Sequence, residues 1–253
     1  MKVITLKILL LHALLFLILF NISAQVLSIK KIKEVPRGRY SDTKDSTLVF
    51  PVFVLRNKKI EKRINEKIQR DFKEENDING QGNDLRLMLK KSSEAGLTSI
   101  DFEVINQTRR IISFSFQVEA MGAYPTSWQK QYCFSLQTGN LITVDSLIKK
   151  IYINTFVSLI KKRLEAIIKL YKEDLFSQLQ EKGFDRETYD WAMDNVKENC
   201  WNNYAPTKFN LYKSKIEIVI DCEFPHAIQN LSPQSSITFT LDEIRKFLNR
   251  QYF

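Results

Sequence analysis

The sequence predicts an α+β fold: an antiparallel sheet, built from hairpins and a meander, with helices packed on one side. Period-two alternation of apolar and polar residues is confined to two regions, about 98–144 and 207–240, where turn residues separate the strands. Helical periodicity lies before, between and after these regions. Strands that follow one another directly pair as hairpins, which argues against a doubly wound parallel sheet.

The first 24 residues have the layout of a secretory signal peptide. Lys2 and Lys7 form a basic start, residues 8–22 form an apolar run, and Ser23-Ala24 offers a small-residue cleavage site. The alternative, a permanent membrane anchor, is disfavoured because the apolar run is short and a cleavage site follows it at once. We expect export to the periplasm or the extracellular space, with no stable membrane span after cleavage.

The composition is basic. The 253-residue chain has a formal net charge of +9, and removal of the leader with its two lysines leaves 229 residues at +7. Such a chain is long enough to bury a stable apolar core without the help of disulfides or metal ions. Outside the membrane an anionic glycan, lipopolysaccharide or acidic protein is a more suitable partner than nucleic acid, which we do not expect. The charge is also typical of a soluble basic surface without a specific partner.

Cysteine and histidine usage limits the chemistry. The sequence has three cysteines, which permit one disulfide and one free thiol. Cys200 follows a predicted helix and Cys222 ends the next hairpin, so we favour this pair over those involving Cys133. After cleavage His226 is the one remaining histidine, which excludes a metal site with two histidines within one chain. We expect no metal, no cofactor and no assigned catalytic residue, since phosphate-loop and dinucleotide motifs are also lacking.

The elements of the first half follow in order. Residues 25–47 are a flexible lead-in or an edge strand, and residues 48–253 form one compound domain. Leu48 to Leu55 is an apolar strand in which Pro51 indicates an edge position or a bulge. Apolar residues at every fourth position predict a helix over about Lys58–Glu75. A second helix is predicted over Asp84–Glu94, and the glycine at position 96 can end it.

The meander is predicted from alternation and turn signals. Its strands are expected at about 99–104, 111–120 and 128–136, with MGAYP (residues 121–125) interrupting the sheet. The Thr138-Gly139-Asn140 turn then leads into a further strand at 141–144.

The second half is predicted to alternate again between helix and sheet. A long helix is expected from about 145 to 181, and Asp185 is the N-cap of another that continues to about Asn199. Strands follow at 209–211, 216–224 and 237–239. Thr240 and Glu243 have capping-box spacing for a terminal helix that ends near residue 251.

The best candidate for a binding surface is the MGAYP loop with the aromatic residues that follow it. The glycine allows close backbone approach or a positive φ, and the aromatic rings can stack on sugars or anchor a protein interface. The alternative is a bulge whose aromatic residues complete the core. The predicted binding residues are Gly122, Tyr124, Trp128 and Tyr132.

Two other groups are candidates for carbohydrate chemistry. The first is an aromatic group in which Trp201 and Tyr204 accompany asparagines at a helix exit, which suits glycan binding or ordinary core packing; its other members are Trp191 within the helix and Phe209. The acidic pairs Asp221/Glu223 and Asp242/Glu243 are too little to define a glycosidase.

The order of motifs resembles a known family. The segment LVFPVFVLRNKKIEKRINEKI matches a proline-containing strand followed by an "INxxI" helix, and MGAYP stands where the family has a Gly-Gly-Ala-His-type loop. FSLQTGNLITVDSLI matches a strand closed by a Thr-Gly turn, and FNLYKSKIEIVIDCEFPHA with the terminal helix matches the last third. Over about Leu48 to Leu248, the chain is similar to the envelope domain shared by RsiV-type anti-sigma factors and the C-terminal part of PdaC-type peptidoglycan deacetylases.

The resemblance implies an extracytoplasmic α+β domain that binds rather than catalyses. RsiV-type members are receptors that bind lysozyme. In the PdaC type, the deacetylase activity belongs to a different domain. Met121 and Tyr124 replace the glycine and histidine of the family loop, so a role tied to that histidine is not expected here. With no sigma-binding segment before the leader, we do not expect sigma-factor control by this chain alone.

We therefore expect a secreted or periplasmic, non-catalytic envelope protein that binds a glycan or a glycan-acting protein such as lysozyme. The alternative is a cell-wall or surface-carbohydrate enzyme that uses unidentified carboxylates, and a structural subunit of an envelope assembly is a third class. The sequence does not determine the oligomeric state.

Overall fold

The computed structural model describes residues 27–36, 47–76, 84–182, 185–202, 208–220, 222, 224–233 and 236–253. The predicted signal peptide lies outside the described residues. Within them, no helix is both long enough and apolar enough to cross a membrane. The α+β prediction is confirmed, and the strands divide between two sheets.

The first sheet has five strands in the order β1-β2-β3-β4-β5. All neighbours are antiparallel except β2 and β3, which form a single parallel bridge between Leu48 and Ile100. The predicted meander is its C-terminal half, although the last strand begins at Pro125 rather than at residue 128. The strands are β1 (Ser28–Glu34), β2 (Leu48–Val54), β3 (Leu97–Gln107), β4 (Ile111–Met121) and β5 (Pro125–Ser135).

The segment before Leu48 contributes to this sheet. All seven residues of β1 pair with β2, so the edge-strand interpretation holds for Ser28–Glu34 and the flexible lead-in is wrong there. The pairing aligns the partly buried apolar residues of β1 with the strongly apolar β2, for example Ile32 with Phe50. The folded unit therefore begins before the predicted boundary at Leu48.

Two helices cover one face of the first sheet. Helix α1 spans Lys58–Glu75 as predicted, and helix α2 spans Leu85–Glu94 with Asp84 as its N-cap. Gly96 follows α2 with a φ of 108°, in agreement with its predicted role at the helix end. These helices and the sheet enclose the first apolar core, whose largest fully buried side chains are Phe50, Phe53, Phe114, Phe134, Leu48, Leu55, Ile64, Ile68, Met88 and Leu89.

The second half departs from the predicted long helix. Residues 141–144 do not form a strand: Leu141 makes one bridge to Phe134, and α3 (Val144–Leu147) starts with a capping box between Thr143 and Ser146. Ile148 is extended and bridges Leu248, which interrupts the helix. Helix α4 then starts only at residue 153, after a 3₁₀ turn, and spans Ile153–Lys182.

The second sheet is antiparallel, with the order β6-β7-β8. Its strands are β6 (Lys208–Leu211), β7 (Lys215–Val219) and β8 (Ser236–Thr240). Phe156 and Ile160 of α4 share a second apolar core with this sheet, and Cys133 of the first sheet belongs to that core as well. The sheets also meet through Ser113, whose hydroxyl accepts a hydrogen bond from the Leu211 backbone N–H at 3.2 Å.

The remaining helices lie next to the disulfide and in the C-terminal segment. Helix α5 (Arg186–Asn195) has the predicted N-cap Asp185 and continues as a π-helical segment, Val196–Asn202. Cys200 and Cys222 form the favoured disulfide, with a Cα–Cα distance of 4.8 Å. Thr240 caps α6 as predicted, but α6 spans only Leu241–Ile244, and a 3₁₀ turn follows at Arg250–Tyr252.

Candidate functional site

The predicted binding loop is the tip of the β4–β5 hairpin. The two strands pair continuously from Ile111–Ser135 to Met121–Pro125, so the loop consists of only three residues, 122–124. A backbone hydrogen bond from the Gly122 N–H to the Tyr124 carbonyl closes it at 3.3 Å. MGAYP therefore does not interrupt the sheet as predicted, because its first and last residues form the final pair of the ladder.

Gly122 does not have the role expected from its lack of a side chain. The glycines with positive φ in the described residues are Gly96 and Gly139. A Cβ atom placed on Gly122 would have no heavy atom within 4 Å. Gly122 therefore does not have the positive φ that the sequence allowed, and its position stays open toward solvent.

The three aromatic residues differ in exposure. The Tyr124 side chain is 61% exposed at the hairpin tip. Trp128 and Tyr132 lie on the helix-covered face of β5, where side chains alternate with a period of two. Trp128 is half-buried against the first core, whereas Tyr132 is only 3% exposed and belongs to that core. Tyr132 therefore offers no exposed surface to a ligand. The accessible aromatic residues at and near the hairpin tip are Tyr124 and Trp128.

Tyr132 instead belongs to a buried polar cluster that sequence reasoning missed. Its hydroxyl donates to Asp71 Oδ2 at 3.3 Å, and Lys67 Nζ donates to Asp71 Oδ1 at 2.6 Å. Lys130 Nζ lies 3.8 Å from Asp71 Oδ2 and also pairs with Glu75. Burial raises the pKa of Tyr132 well above its ordinary value, and the nearby charges of Asp71 and Glu75 raise it further.

This cluster fastens the C-terminal part of α1 to β5. Asp71 is 5% exposed and is the one buried acid among the described residues. It follows Ile68 by three positions, at the edge of the apolar stripe of α1, and that helical spacing is the signal that could have indicated it. Because its oxygens already accept from Tyr132 and Lys67, Asp71 holds structure together and does not form a pair of convergent acids.

The other candidates from the sequence are surface residues or lie outside the described parts. On α5, Tyr189 is buried and Trp191 is 44% exposed. Asp242 and Glu243 are exposed and pair with Arg245 and Arg163 respectively. The side chains of Trp201 and His226, together with Tyr204, Asp221 and Glu223, lie outside the described residues.

Neither the free cysteine nor the acidic side chains form a reactive or metal-binding group among the described residues. Cys133 is the free cysteine, and burial raises the pKa of its thiol to about 12, so it is uncharged at neutral pH. Over the described ranges, no group of three or more His, Cys, Asp and Glu side chains is arranged to hold a metal ion.

This protein is an α+β domain. It has two sheets, each with its own layer of helices, and the two sheets contact each other. No protein-family model matches the chain, and no curated protein matches it. Among solved structures, a DUF3298 family protein from Pseudomonas aeruginosa PAO1 superposes with a TM-score of 0.52 at 8% identity, over 91% of this chain and 97% of its own. A DUF3298 member from Bacteroides fragilis covers 89% of this chain and 94% of its own, with a TM-score of 0.45 and 14% identity.

The chain thus has a DUF3298-type fold, that of a family of unknown function.

Proposed function

We propose that this protein is an exported, non-catalytic envelope protein that binds a glycan or a glycan-acting protein such as lysozyme. The observation that carries the proposal is the position of Tyr124, which is 61% exposed at the tip of a hairpin whose strands pair without interruption. Half-buried Trp128 lies on β5, a short distance from the tip.

A tyrosine in this position suits recognition. Its ring offers a large apolar face at a small cost in conformational entropy, and its hydroxyl can form a hydrogen bond with a sugar or a backbone group. The fully paired hairpin fixes the backbone beneath the ring, so little ordering remains to be done on binding.

Two features support an extracytoplasmic location. The first 24 residues have signal-peptide organisation. The disulfide between Cys200 and Cys222 is of the kind that persists in oxidising compartments and is rare in the cytosol. Under this proposal the exported protein begins at Gln25, which N-terminal sequencing of the material outside the cytosol measures directly.

The resemblance to the RsiV and PdaC domains supports the ligand class. In that resemblance MGAYP occupies the position of the family loop, and RsiV-type members receive lysozyme. Tyr124 stands where the family has histidine, so recognition by this chain would depend on a phenol ring rather than on an imidazole that titrates near neutral pH.

The test measures binding and stability on the same variants. We expect Tyr124→Ala to weaken binding to lysozyme or to soluble peptidoglycan fragments at least about tenfold, because an exposed aromatic anchor contributes about 2 kcal/mol. Its melting temperature should stay within a few degrees of the wild type. Trp128→Ala should also weaken binding, with a larger loss of stability because its ring packs on the core.

Trp191→Ala is the matched control, because Trp191 is also a partly exposed aromatic residue but lies on α5. Its affinity should equal that of the wild type. Equal losses in Tyr124→Ala and Trp191→Ala, or unchanged affinity in folded Tyr124→Ala, would overturn the hairpin as the binding site. A wild-type protein that binds neither probe would overturn the proposed ligand class.

A further inference from the structure

A second surface, remote in sequence from the hairpin tip, has a strongly positive lining. It is a cleft of about 410 Å³ between the outer side of α1 and the turn after β5, and we call it the cationic groove. Its lining has five basic side chains and one acidic side chain. The lining residues are Lys59, Lys62, Arg63, Glu66, Lys67 and Arg70 of α1 with Gly139, Asn140 and Leu141 of the turn.

The positive charge arises because three of the five acids of α1 make structural contacts elsewhere. Glu61 accepts from the Leu55 backbone N–H at 2.7 Å and pairs with Lys58. Asp71 is buried beneath Tyr132, and Glu75 pairs with Lys130. These acids therefore do not line the groove, and the basic residues that alternate with them along the helix do.

Part of the positive charge in the groove is uncompensated. Lys67 is neutralised by Asp71 at 2.6 Å, and Lys62 lies 3.7 Å from Glu66 in an exposed pair that contributes little. Within the described residues, Lys59 and Arg70 form no ion pair. These two exposed cations mark the ends of the lining, about 16 Å apart along the helix at 1.5 Å per residue.

The walls of the groove are held rigidly together. The Arg63 guanidinium donates to the Thr138 carbonyl at 2.7 Å and to Asn140 Oδ1 at 2.9 Å. Gly139 lies so close to α1 that a Cβ atom there would be 3.2 Å from Ile60. The groove therefore exists before any ligand arrives, which lowers the entropic cost of binding.

We infer that the cationic groove binds an anionic polysaccharide. A row of separated cations over about 16 Å matches a chain with repeated negative groups better than it matches one small anion. The charged side chains along the groove suit an anionic sugar chain, and partly exposed Leu141 offers an apolar contact. The lining includes no aromatic side chain on which the bases of a single-stranded nucleic acid could stack. The choice of a polysaccharide over nucleic acid also rests on the proposed export.

The test is fluorescence anisotropy with the mature chain and a labelled heparin oligosaccharide as the anionic probe, alongside neutral dextran. We expect salt-sensitive binding of heparin and none of dextran. Lys59→Gln/Arg70→Gln should weaken heparin binding about tenfold and reduce its salt dependence, because two uncompensated cations are lost. Glu66→Gln should strengthen binding, because it removes the acid from the lining.

Lys161→Gln/Lys162→Gln is the matched control, since it removes the same charge from exposed positions of α4. Its affinity for heparin should stay within about twofold of the wild type, since neither lysine lines the groove. Equal losses in both double variants would show an effect of net charge and overturn the groove. Tighter binding of a single-stranded oligonucleotide than of heparin would overturn the polysaccharide assignment. Neither outcome bears on Tyr124→Ala, so failure of this inference and failure of the proposed function are distinguishable.

Discussion

At the scale of single residues, Asn65 explains why a helix can lie against an unpaired strand edge. Its side chain accepts from the Phe53 N–H at 2.9 Å and donates to the Phe53 carbonyl at 2.8 Å, as a neighbouring strand would. Glu61 satisfies the Leu55 N–H at the same edge. Pro51 faces the same edge of β2 as Phe53 and Leu55. Because proline has no N–H, no third backbone donor at these positions needs a partner.

We expect Asn65→Ala to lower the free energy of unfolding by about 2–3 kcal/mol, since both backbone groups of Phe53 lose their partner in a partly buried setting. Chemical denaturation of the variant and the wild type measures the change. Glu74→Ala, an exposed position on the same helix, is the control and should change stability by less than about 0.5 kcal/mol. Equal stability of Asn65→Ala and the wild type would contradict the bridging role.

At the scale of elements, the sequence predicted best where a helix or strand has its own local signals. Helix α1 has the predicted bounds, because its four-residue apolar repeat begins next to an effective N-cap, Asn57. The predicted helix over 145–181 was wrong in its first turns, because the bridge from Ile148 to Leu248 joins residues far apart in sequence. No local pattern reports such a contact.

Alanine substitutions at Gly96 and Gly122 test which of the two positions requires a backbone conformation that only glycine adopts easily. Gly96 has a φ of 108°, and a Cβ atom there would lie 2.6 Å from the Met121 carbonyl oxygen. We therefore expect Gly96→Ala to cost about 2–4 kcal/mol through strain and steric conflict. Thermal unfolding should show a clear loss of melting temperature.

Gly122→Ala is the matched substitution at the position after Met121, where the site is open. Its melting temperature should equal that of the wild type or rise slightly, because alanine reduces the entropy of the unfolded chain. A large loss at Gly122 would mean that the hairpin tip requires glycine after all.

At the candidate site, the sequence indicated the hairpin aromatics but not their division between surface and core. Alternation places Trp128 and Tyr132 on one face of β5, yet it does not say that α1 covers only the end of that face where Tyr132 lies. The sequence does not predict the buried role of Asp71, because a single acid beside an apolar stripe is common in surface helices. The contacts that distinguish it, from Tyr132 and Lys67, are properties of the folded chain.

At the scale of the whole molecule, the described residues form two large apolar cores that meet at β4, β5 and β6, and a smaller third cluster that includes Leu175 and Tyr189. The sequence predicted the α+β class from its hairpins, but it did not predict how the eight described strands divide between sheets. That division depends on which faces of the sheets are apolar at long range, as with Cys133 of β5, which points away from the first core into the second.

The disulfide stabilises the segment between α5 and the second sheet. Cys200 and Cys222 are 22 residues apart, and closing a loop of that length contributes about 3 kcal/mol in the chain-entropy model. Cys222→Ser should therefore lower stability by about 2–4 kcal/mol, measured by denaturation without reductant. Added reductant should destabilise the wild type and leave Cys222→Ser unchanged, and Cys133→Ser should keep its sensitivity to reductant.

The single parallel bridge between β2 and β3 predicts the order in which the first sheet assembles. Strands β3, β4 and β5 join through short turns, so their contacts close small loops and form early. Strand β2 reaches β3 only after both α1 and α2 have been traversed, as a parallel connection demands. We therefore expect the meander to form first and the pair of β1 and β2 to dock onto it later, together with the two helices, since Phe50 and Phe53 of β2 complete the first core.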